Sequence, residues 1–569
     1  MNSSSAFGFR PLIPAPSSMT GNREASAFSP AAATHSRLTA ELATRVQLSV
    51  SPCHRRLRHL ELEGVIRGYR AAVDLGFEAL VFATPREEPR HVLDPHGTYH
   101  RYHRPGAGHR DLRLRCIHKA KRIYLEQTYG VAMVDQQCNG TPTDADVVVV
   151  GAGPVGLALA LDLARRGISA RVLERGAGTF EGSRAKGVQP RTLEVLDDLG
   201  VAAEARAVGG PYPPMGLHIG PFTKTWQMQH PAPAAAATPY PDILLLPQYA
   251  TTALLHRAVL DQGGTVEFGV TAEKFTQDQD AATVTTDDGR LLRARFVVGA
   301  DGGGSTVRKA IGAAFEGSTD EADRMIIADA RVDGLSPDRW HVWPRTGGRT
   351  VAACPLPGGD LFQLMITIGP DDPAELTEET LAALLKRRAG RSLRLHGLTW
   401  ASVFRPNIRL ADRYRNGRLL IAGDAAHVHT PAGAQGLNTG VQDAYNLGWK
   451  LQQVLAGAPD SLLDTYQGER RPVAAKVLGR STELYAGLKK PRTRALTRGD
   501  EERQLGLSYF GGPLAPSDAA STAALRPGDR APDAPLPAGG HLFDLYRGPH
   551  FTALAFGAGP GSRGDRGPR

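Results

Sequence analysis

Asp146-Val147-Val148-Val149-Val150-Gly151-Ala152-Gly153-Pro154-Val155-Gly156 decides the fold of this 569-residue chain. Four valines after a polar residue read as a strand buried on both faces, and the Ala- and Leu-rich run 154–166 reads as a helix. Residues 169–174 supply a second strand and complete a βαβ unit. GxGxxG alone is a weak signal, but here it joins strand to helix, the setting that gives it meaning. Gly151 permits the tight turn, Gly153 lets the backbone approach a pyrophosphate, and Gly156 lets helix and strand close up. The phosphates then lie beside Pro154 and Val155, where free amides and the helix dipole favour anions. Glu174, followed by Arg175, ends the second strand and can accept hydrogen bonds from an adenosine ribose. An acid there points to FAD or NAD rather than a 2′-phosphorylated nucleotide.

Two later segments extend the site. Gly299-Ala300-Asp301-Gly302-Gly303-Gly304 follows an apolar strand and runs on to Arg308. Asp301 is expected to organise that turn, with Arg308 packing or pairing nearby. Gly423-Asp424-Ala425-Ala426-His427 follows the apolar run 419–422 and continues through Pro431 and Gly433 to Gly436-Leu437-Asn438. An acid at a strand end suits the ribityl hydroxyls of a flavin. The helix opening at Leu437-Asn438 would turn its amides towards negative charge on the flavin ring. The order and spacing of the three segments together indicate a flavin. His427 and His429 lie two apart without a carboxylate or cysteine cluster, so a loop role beside the flavin is expected, not a metal site.

Outward from the motifs, 41% hydrophobic and 22% charged residues fit a globular protein. The sequence holds no apolar run of membrane-spanning length and no secretory pattern at its start. Cys53, Cys116, Cys138 and Cys354 lack CxxC spacing, which argues against a disulfide framework or zinc site. A cytoplasmic location is the expectation. The net charge of +9 is uneven: residues 1–132 carry 19 Lys and Arg against 11 Asp and Glu, leaving 48 against 47 for 133–569. The motif-bearing part is therefore balanced, and neither a nucleic-acid nor a membrane partner is expected. Residues 1–143 hold half of the 18 histidines and read as a basic extension, disordered or spurious, with Met133 as an alternative start. Cys53-His54-Arg55-Arg56-Leu57-Arg58-His59 within it reads as a solvated basic run.

Further helices are expected at 251–262, 437–455 and 462–486, and strands at 265–270, 282–286, 291–298, 350–354 and 361–368. Residues 213–247 and 323–404 alternate like an antiparallel sheet and form a second lobe. The FAD-binding domain is then discontinuous, over 144–212, 248–322 and 405–490. Residues 490–524 read as a polar loop, 525–556 again carry strand-like runs, and 557–569 read as disordered.

With all three motifs in this order, the sequence resembles the class A FAD-dependent aromatic monooxygenases, the para-hydroxybenzoate hydroxylase family. The resemblance is strongest to the polyketide and phenol hydroxylases and rifampicin monooxygenases, over about 144–486. It implies an α/β fold: a Rossmann-like FAD-binding domain with an inserted antiparallel-sheet substrate domain. Residues 525–569 resemble the start of a thioredoxin-like C-terminal domain, expected here as a truncated, poorly ordered segment. The resemblance also implies that Arg184 contacts FAD, that Gln248 bonds near its phosphates and ribityl chain, and that Pro431 packs beside the ring. Asp424, Leu437 and Asn438 match the ribityl and ring positions. Where the family has a glutamate, Thr252 stands, which puts one local helix contact in doubt. The implied chemistry is reduction of FAD by NADPH or NADH, then O2 activation as a C4a-hydroperoxyflavin that hydroxylates a small aromatic substrate. Monomer and homodimer are both compatible with it. No catalytic base is assigned.

Three alternatives stand beside this reading. A flavin-dependent halogenase would carry a WxWxIP signature, which Trp340-His341-Val342-Trp343-Pro344 does not match. A reductase or dehydrogenase of the same fold would oxidise NADPH without oxygen transfer. An inactive FAD-binding remnant would bind flavin and do nothing more.

Overall fold

The computed structural model describes residues 143–554, apart from 233–234, 236, 345–348, 370–371, 374, 391, 431–432, 490–497 and 516–524. It also describes two short strands, His91–Leu93 and Tyr99–Arg101, which pair antiparallel within a separate unit, residues 1–138. The rest of the basic extension and residues 555–569 lie outside the described residues.

The second unit opens with the βαβ motif: β1 (Ala145–Val150), α1 (Pro154–Arg165) and β2 (Ala170–Glu174). Helix α2 (Pro190–Asp198) follows. Strands β3 (Met215–Ile219) and β4 (Phe222–Trp226) then leave for the second sheet. The chain returns as α3 (Gln248–Asp261), β5 (Thr265–Phe268), β6 (Ala272–Gln277), β7 (Ala282–Thr286) and β8 (Leu291–Gly299). A second excursion comprises β9 (Arg324–Asp333), β10 (Trp340–Trp343), β11 (Val351–Pro355), β12 (Leu361–Ile368), α4 (Glu378–Arg388) and β13 (Arg394–Phe404). Strand β14 (Leu419–Ile421) and helices α5 (Gly436–Leu455) and α6 (Asp464–Lys489) complete the first layer.

The first sheet runs β5-β2-β1-β8-β7-β6, with β14 also paired to β8. Strand β8 explains how two sheet types meet. Its first half alternates in burial and pairs antiparallel with β7; its last four residues are all buried and pair parallel with β1 and β14. A parallel segment covered by helices on both faces needs an unbroken apolar run, and Phe296-Val297-Val298 supplies it. Helix α5 lies close on α1, because a Cβ at Gly448 would come within 2.2 Å of Asp162 Oδ2.

The second sheet runs β13-β9-β12-β11-β10-β3-β4. One face, with Ile326, Ala328, Leu364 and Ile366, packs with Leu381, Leu384 and Leu385 of α4. The opposite face carries Trp340, Ala352 and Cys354, packed with Leu245, Tyr212, Met215 and Met365. This sheet is mixed, where an antiparallel one was expected: β10 pairs parallel with β3. The two segments enter the sheet from separate excursions, so no tight turn forces them to run in opposite directions.

The tail also differs from expectation. The described part of 525–554 contains no ladder strand; it forms the short helix Leu542–Tyr546 and isolated bridges at Asp529 and Pro535. A strand-like run needs a neighbour to pair with, and this one is held by side chains instead. Arg530 forks onto Glu194 of α2, and Arg547 reaches Asp197 at 2.9 Å.

Candidate cofactor and substrate site

The glycines of the first motif serve two purposes. Gly151 has φ +107°, and a Cβ there would lie 2.5 Å from the Ala300 carbonyl oxygen. A Cβ on Gly156 would lie 2.0 Å from the Gly151 carbonyl oxygen. Both positions are closed by backbone. Gly153 has nothing within 4 Å of its Cβ position. It caps α1 without a side-chain hydrogen bond, Pro154 follows, and the first turn holds no acid. The amides of Val155 and Gly156 therefore begin the helix with no side-chain anion in the first turn. Glu174 braces the turn: Oε2 accepts from Ala152 N at 2.8 Å and Oε1 from Gly176 N at 2.9 Å. Each oxygen keeps a further lone pair for a ribose hydroxyl. Arg175 beside it is exposed. An open cradle at a bare helix start, with an acid alongside, fits the phosphates and ribose of FAD.

The other two motifs are brought to this cradle. Asp301 Oδ2 accepts from Thr306 N at 2.7 Å and Thr306 Oγ1 at 2.9 Å, so it organises its turn. Its Oδ1 is buried with no partner among the described residues. Arg308 donates to Ala425 O at 3.1 Å and Gly303 O at 2.8 Å, and its guanidinium lies 3.8 Å from the Phe315 ring centroid. It thereby clamps the second motif to the third. A Cβ on Gly423 would meet Val155 Cγ2 at 2.8 Å, and one on Gly440 would meet the same atom at 2.6 Å. Small residues thus let the start of α5 and the Asp424 turn press against the start of α1. Asp424 is exposed between buried neighbours. Gly436 and Leu437 open α5 with no acid in the first turn. Ala434 just before it holds φ +53°, a strained conformation for a residue with a Cβ.

Gln248, Arg184 and Asn438 gather around residues 183–188. Gln248 Oε1 faces Ala185 N at a long 3.5 Å. Arg184 is exposed, its guanidinium 5.1 Å from the Phe180 ring centroid and 5.8 Å from that of Trp400. Thr252 is buried and donates to Gln248 O at 2.8 Å, so a local helix contact is made by a hydroxyl. Asn438 is fully buried, and its side chain is committed to protein. Its Nδ2 donates to Gly187 O at 2.8 Å and Ala434 O at 2.6 Å, and its Oδ1 accepts from Gln189 N at 2.8 Å. Both of its side-chain donors are spent, so its backbone amide is the donor left for a ligand. Pro431 lies outside the described residues.

Two buried polar groups escaped the sequence reading. In the first, Asp443 of α5 binds His427 Nε2 at 2.6 Å, Arg470 Nε at 2.6 Å and Gly423 N at 3.1 Å. Burial would raise the Asp443 carboxyl, but Arg470 and His427 outweigh it and hold it below the usual range. The turn that presents Asp424 is therefore anchored from behind. His429 is pushed down by burial, and its Nε2 has no partner among the described residues.

The second group joins residues 183–186 to the face of the second sheet opposite α4. Ser183 N donates to Asp329 Oδ2 at 2.7 Å, and Gln363 Nε2 donates to Ser183 Oγ at 2.5 Å. Lys186 Nζ donates to Gln363 Oε1, lies 3.9 Å from Met365 Sδ and sits 4.5 Å from the Trp340 ring centroid. Burial lowers the Lys186 amine and raises the Asp329 carboxyl. The signal available in the sequence was Lys186 itself, a cation in an otherwise small and apolar Ala185-Lys186-Gly187-Val188 segment.

Comparison with known proteins agrees with this geometry. Residues 144–481 match the model of the FAD binding domain. A short stretch, 39–67, matches a winged helix-turn-helix DNA-binding model and lies outside the described residues. The chain is similar to a flavin-dependent monooxygenase of Mycobacteroides abscessus, at 45% identity over 72% of this chain and 88% of that one. It is also similar to a rifampicin monooxygenase of Streptomyces venezuelae, at 37% identity over 58% and 69%. Among solved structures, aklavinone-11 hydroxylase in a ternary complex with FAD and aklavinone superposes with a TM-score of 0.62 at 28% identity, covering 71% of this chain and 83% of that one. The chain belongs to the FAD-binding family of flavin-dependent aromatic monooxygenases.

Proposed function

We propose that the chain is a FAD- and NAD(P)H-dependent monooxygenase that hydroxylates a small aromatic molecule of phenolic or polyketide type. The observation that carries this is a juxtaposition. Residues 183–188 join the Gly153–Asp424 cradle on one side to an aromatic, mostly apolar sheet face on the other. In this reading residues 144–212, 248–322 and 405–490 hold FAD, and 213–247 with 323–404 cover the substrate. Glu174 holds the ribose, Arg184 and Gln248 the phosphates and ribityl chain, Asp424 the ribityl hydroxyls, and the amides of Leu437 and Asn438 the ring. Bound FAD would supply the redox chemistry, hydride acceptance from NADPH or NADH and activation of O2 for transfer of one oxygen atom to the substrate. The protein's share is orientation and exclusion of water.

The test uses the purified yellow holoenzyme. NADPH or NADH should bleach it without oxygen. With oxygen, a panel of anhydrotetracycline, rifampicin and simple phenols should include one that accelerates NADPH oxidation and gains an oxygen atom by mass spectrometry. Stimulated NADPH oxidation without oxygen transfer would make it a reductase, and flavin that no nicotinamide reduces would make it a remnant.

A further inference from the structure

We propose that Lys186 is the base that takes the aromatic hydroxyl proton of the substrate and the cation that then holds the phenolate. This rests on the aromatic monooxygenase reading and adds a catalytic residue to it.

One buried donor lacks an acceptor among the described residues, and the amine beside it has a single strong one. Lys186 is 8% exposed, and its amine has two N–H donors and a lone pair when neutral and three N–H donors once it has taken a proton. Its one strong acceptor among the described residues is Gln363 Oε1; the thioether of Met365 is a weak one. Trp340, whose ring lies beneath the amine, is 7% exposed, and its Nε1 is buried with no partner. Buried donors are nearly always satisfied, so this pair calls for an oxygen that the chain does not supply. The surroundings describe the molecule bearing that oxygen. Met215, Met365, Cys354 and Ala352 line the same face, which suits a flat aromatic ring.

Position relates the lysine to the reacting end. Lys186 is one residue from Gly187, whose carbonyl is held by Asn438 at the start of α5. A Cβ on Gly187 would stand 3.0 Å from Ala434 Cβ, in the loop that leads to the proposed flavin-ring amides. The titratable groups around the amine are Asp329 and Cys354 on the sheet, with Tyr212 and Tyr249 beside them. Burial lowers the Lys186 amine and raises the Asp329 carboxyl, so each charged form is disfavoured there until a partner of opposite charge, such as a phenolate beside Nζ, arrives. The step balances simply. The substrate O–H bond breaks, its electron pair stays on oxygen, and a new N–H bond forms on Nζ, with no change of oxidation state. The phenolate ring is richer in electrons, as transfer of an electrophilic oxygen requires. The product recovers the proton as it leaves.

The test is a binding measurement on the holoenzyme. Para-nitrophenol and anhydrotetracycline report their own ionisation by absorbance, and para-nitroanisole cannot ionise. Below the free phenol's pKa, the wild type should bind at least one of the two phenols in its ionised form. Lys186→Met should bind it about tenfold more weakly and un-ionised, the loss of about one charge-assisted hydrogen bond. Its affinity for para-nitroanisole, flavin content and melting temperature should match the wild type. Trp340→Phe, which removes the second donor and keeps the ring, should weaken phenol binding severalfold and spare para-nitroanisole. Ionisation unchanged in Lys186→Met overturns the proposal, as does equal weakening of para-nitroanisole or failure of both phenols to ionise in the wild type. Should Lys186→Met not fold, the Trp340→Phe comparison decides. Oxygen transfer with Lys186-independent ionisation removes the lysine's role alone; Lys186-dependent ionisation without oxygen transfer removes the hydroxylase reading alone.

Discussion

Gly151 and Gly153 stand two residues apart, and alanine at each should fail in a different way. At Gly151 a methyl group meets the Ala300 carbonyl at 2.5 Å while the backbone holds φ +107°. Gly151→Ala should cost about 1–3 kcal/mol of stability through that strain, whatever ligand is present. At Gly153 the methyl group enters space that the chain leaves open. Gly153→Ala should melt with the wild-type apoprotein yet retain much less FAD after gel filtration, read as flavin absorbance per protein. A Gly153→Ala protein that keeps its flavin would mean the phosphates lie elsewhere. Sequence spacing named both glycines as special, because a strand–GxGxxG–helix run has few geometries. It could not identify the Asn438 side chain as a strut, since its partners Gly187 and Gln189 lie about 250 residues away.

At the scale of elements, most strands of the first sheet were legible because they are short apolar runs bounded by turn residues; 282–286 emerged with those very bounds and 291–298 within one residue of them, whereas β6, polar along most of its length, was not read as a strand. Helix α5 was equally plain as a helix, but its role was hidden. Asp443, Asn446 and Lys450 recur at i, i+3 and i+7, a spacing that reads as a solvated stripe. All three are buried, because Glu469 and Arg470 of α6 lie against them: Asn446 and Lys450 each bind Glu469 at 2.7 Å. Partners on another helix leave no trace in the spacing of the first. Asp443→Asn strands the fully buried Arg470 guanidinium and should cost about 3–5 kcal/mol. Acid should erase the difference. The Asp443 carboxyl titrates lower in the folded chain than unfolded, so its contribution is complete above the unfolded value, about 4, and falls away as pH drops through the folded one. Melting curves of both proteins should therefore begin to converge below about pH 4 and meet only below the folded value. A constant gap down to acid pH would mean that packing, not charge, separates them.

Across the whole second unit, two sheets share one chain that leaves the first and returns twice, and the Ser183–Asp329 and Lys186–Gln363 pairs tie the second excursion back. The alternating pattern disclosed the second lobe. It could not disclose that β3 and β10, more than a hundred residues apart, would lie side by side and parallel. The tail obeys the same limit: its strand-like runs carry no information about whether a partner strand exists. Charge burial makes its attachment testable. Arg530 and Glu194 have side chains 9% and 1% exposed, and the guanidinium forks onto both carboxylate oxygens. Arg547 and Asp197 are 42% and 18% exposed and make a single ion pair at 2.9 Å. Arg530→Ala leaves a buried carboxylate with only Arg191 to pair it among the described residues, and should cost about 1–3 kcal/mol. Arg547→Ala gives up a solvated pair, worth under about 1 kcal/mol, and salt should erase that loss. Thermal melts of the two variants at low and high salt decide it. Equal, small and salt-sensitive losses would mean that the tail merely rests on α2; a large, salt-insensitive loss confined to Arg530→Ala would make it part of the folded body that carries the flavin site.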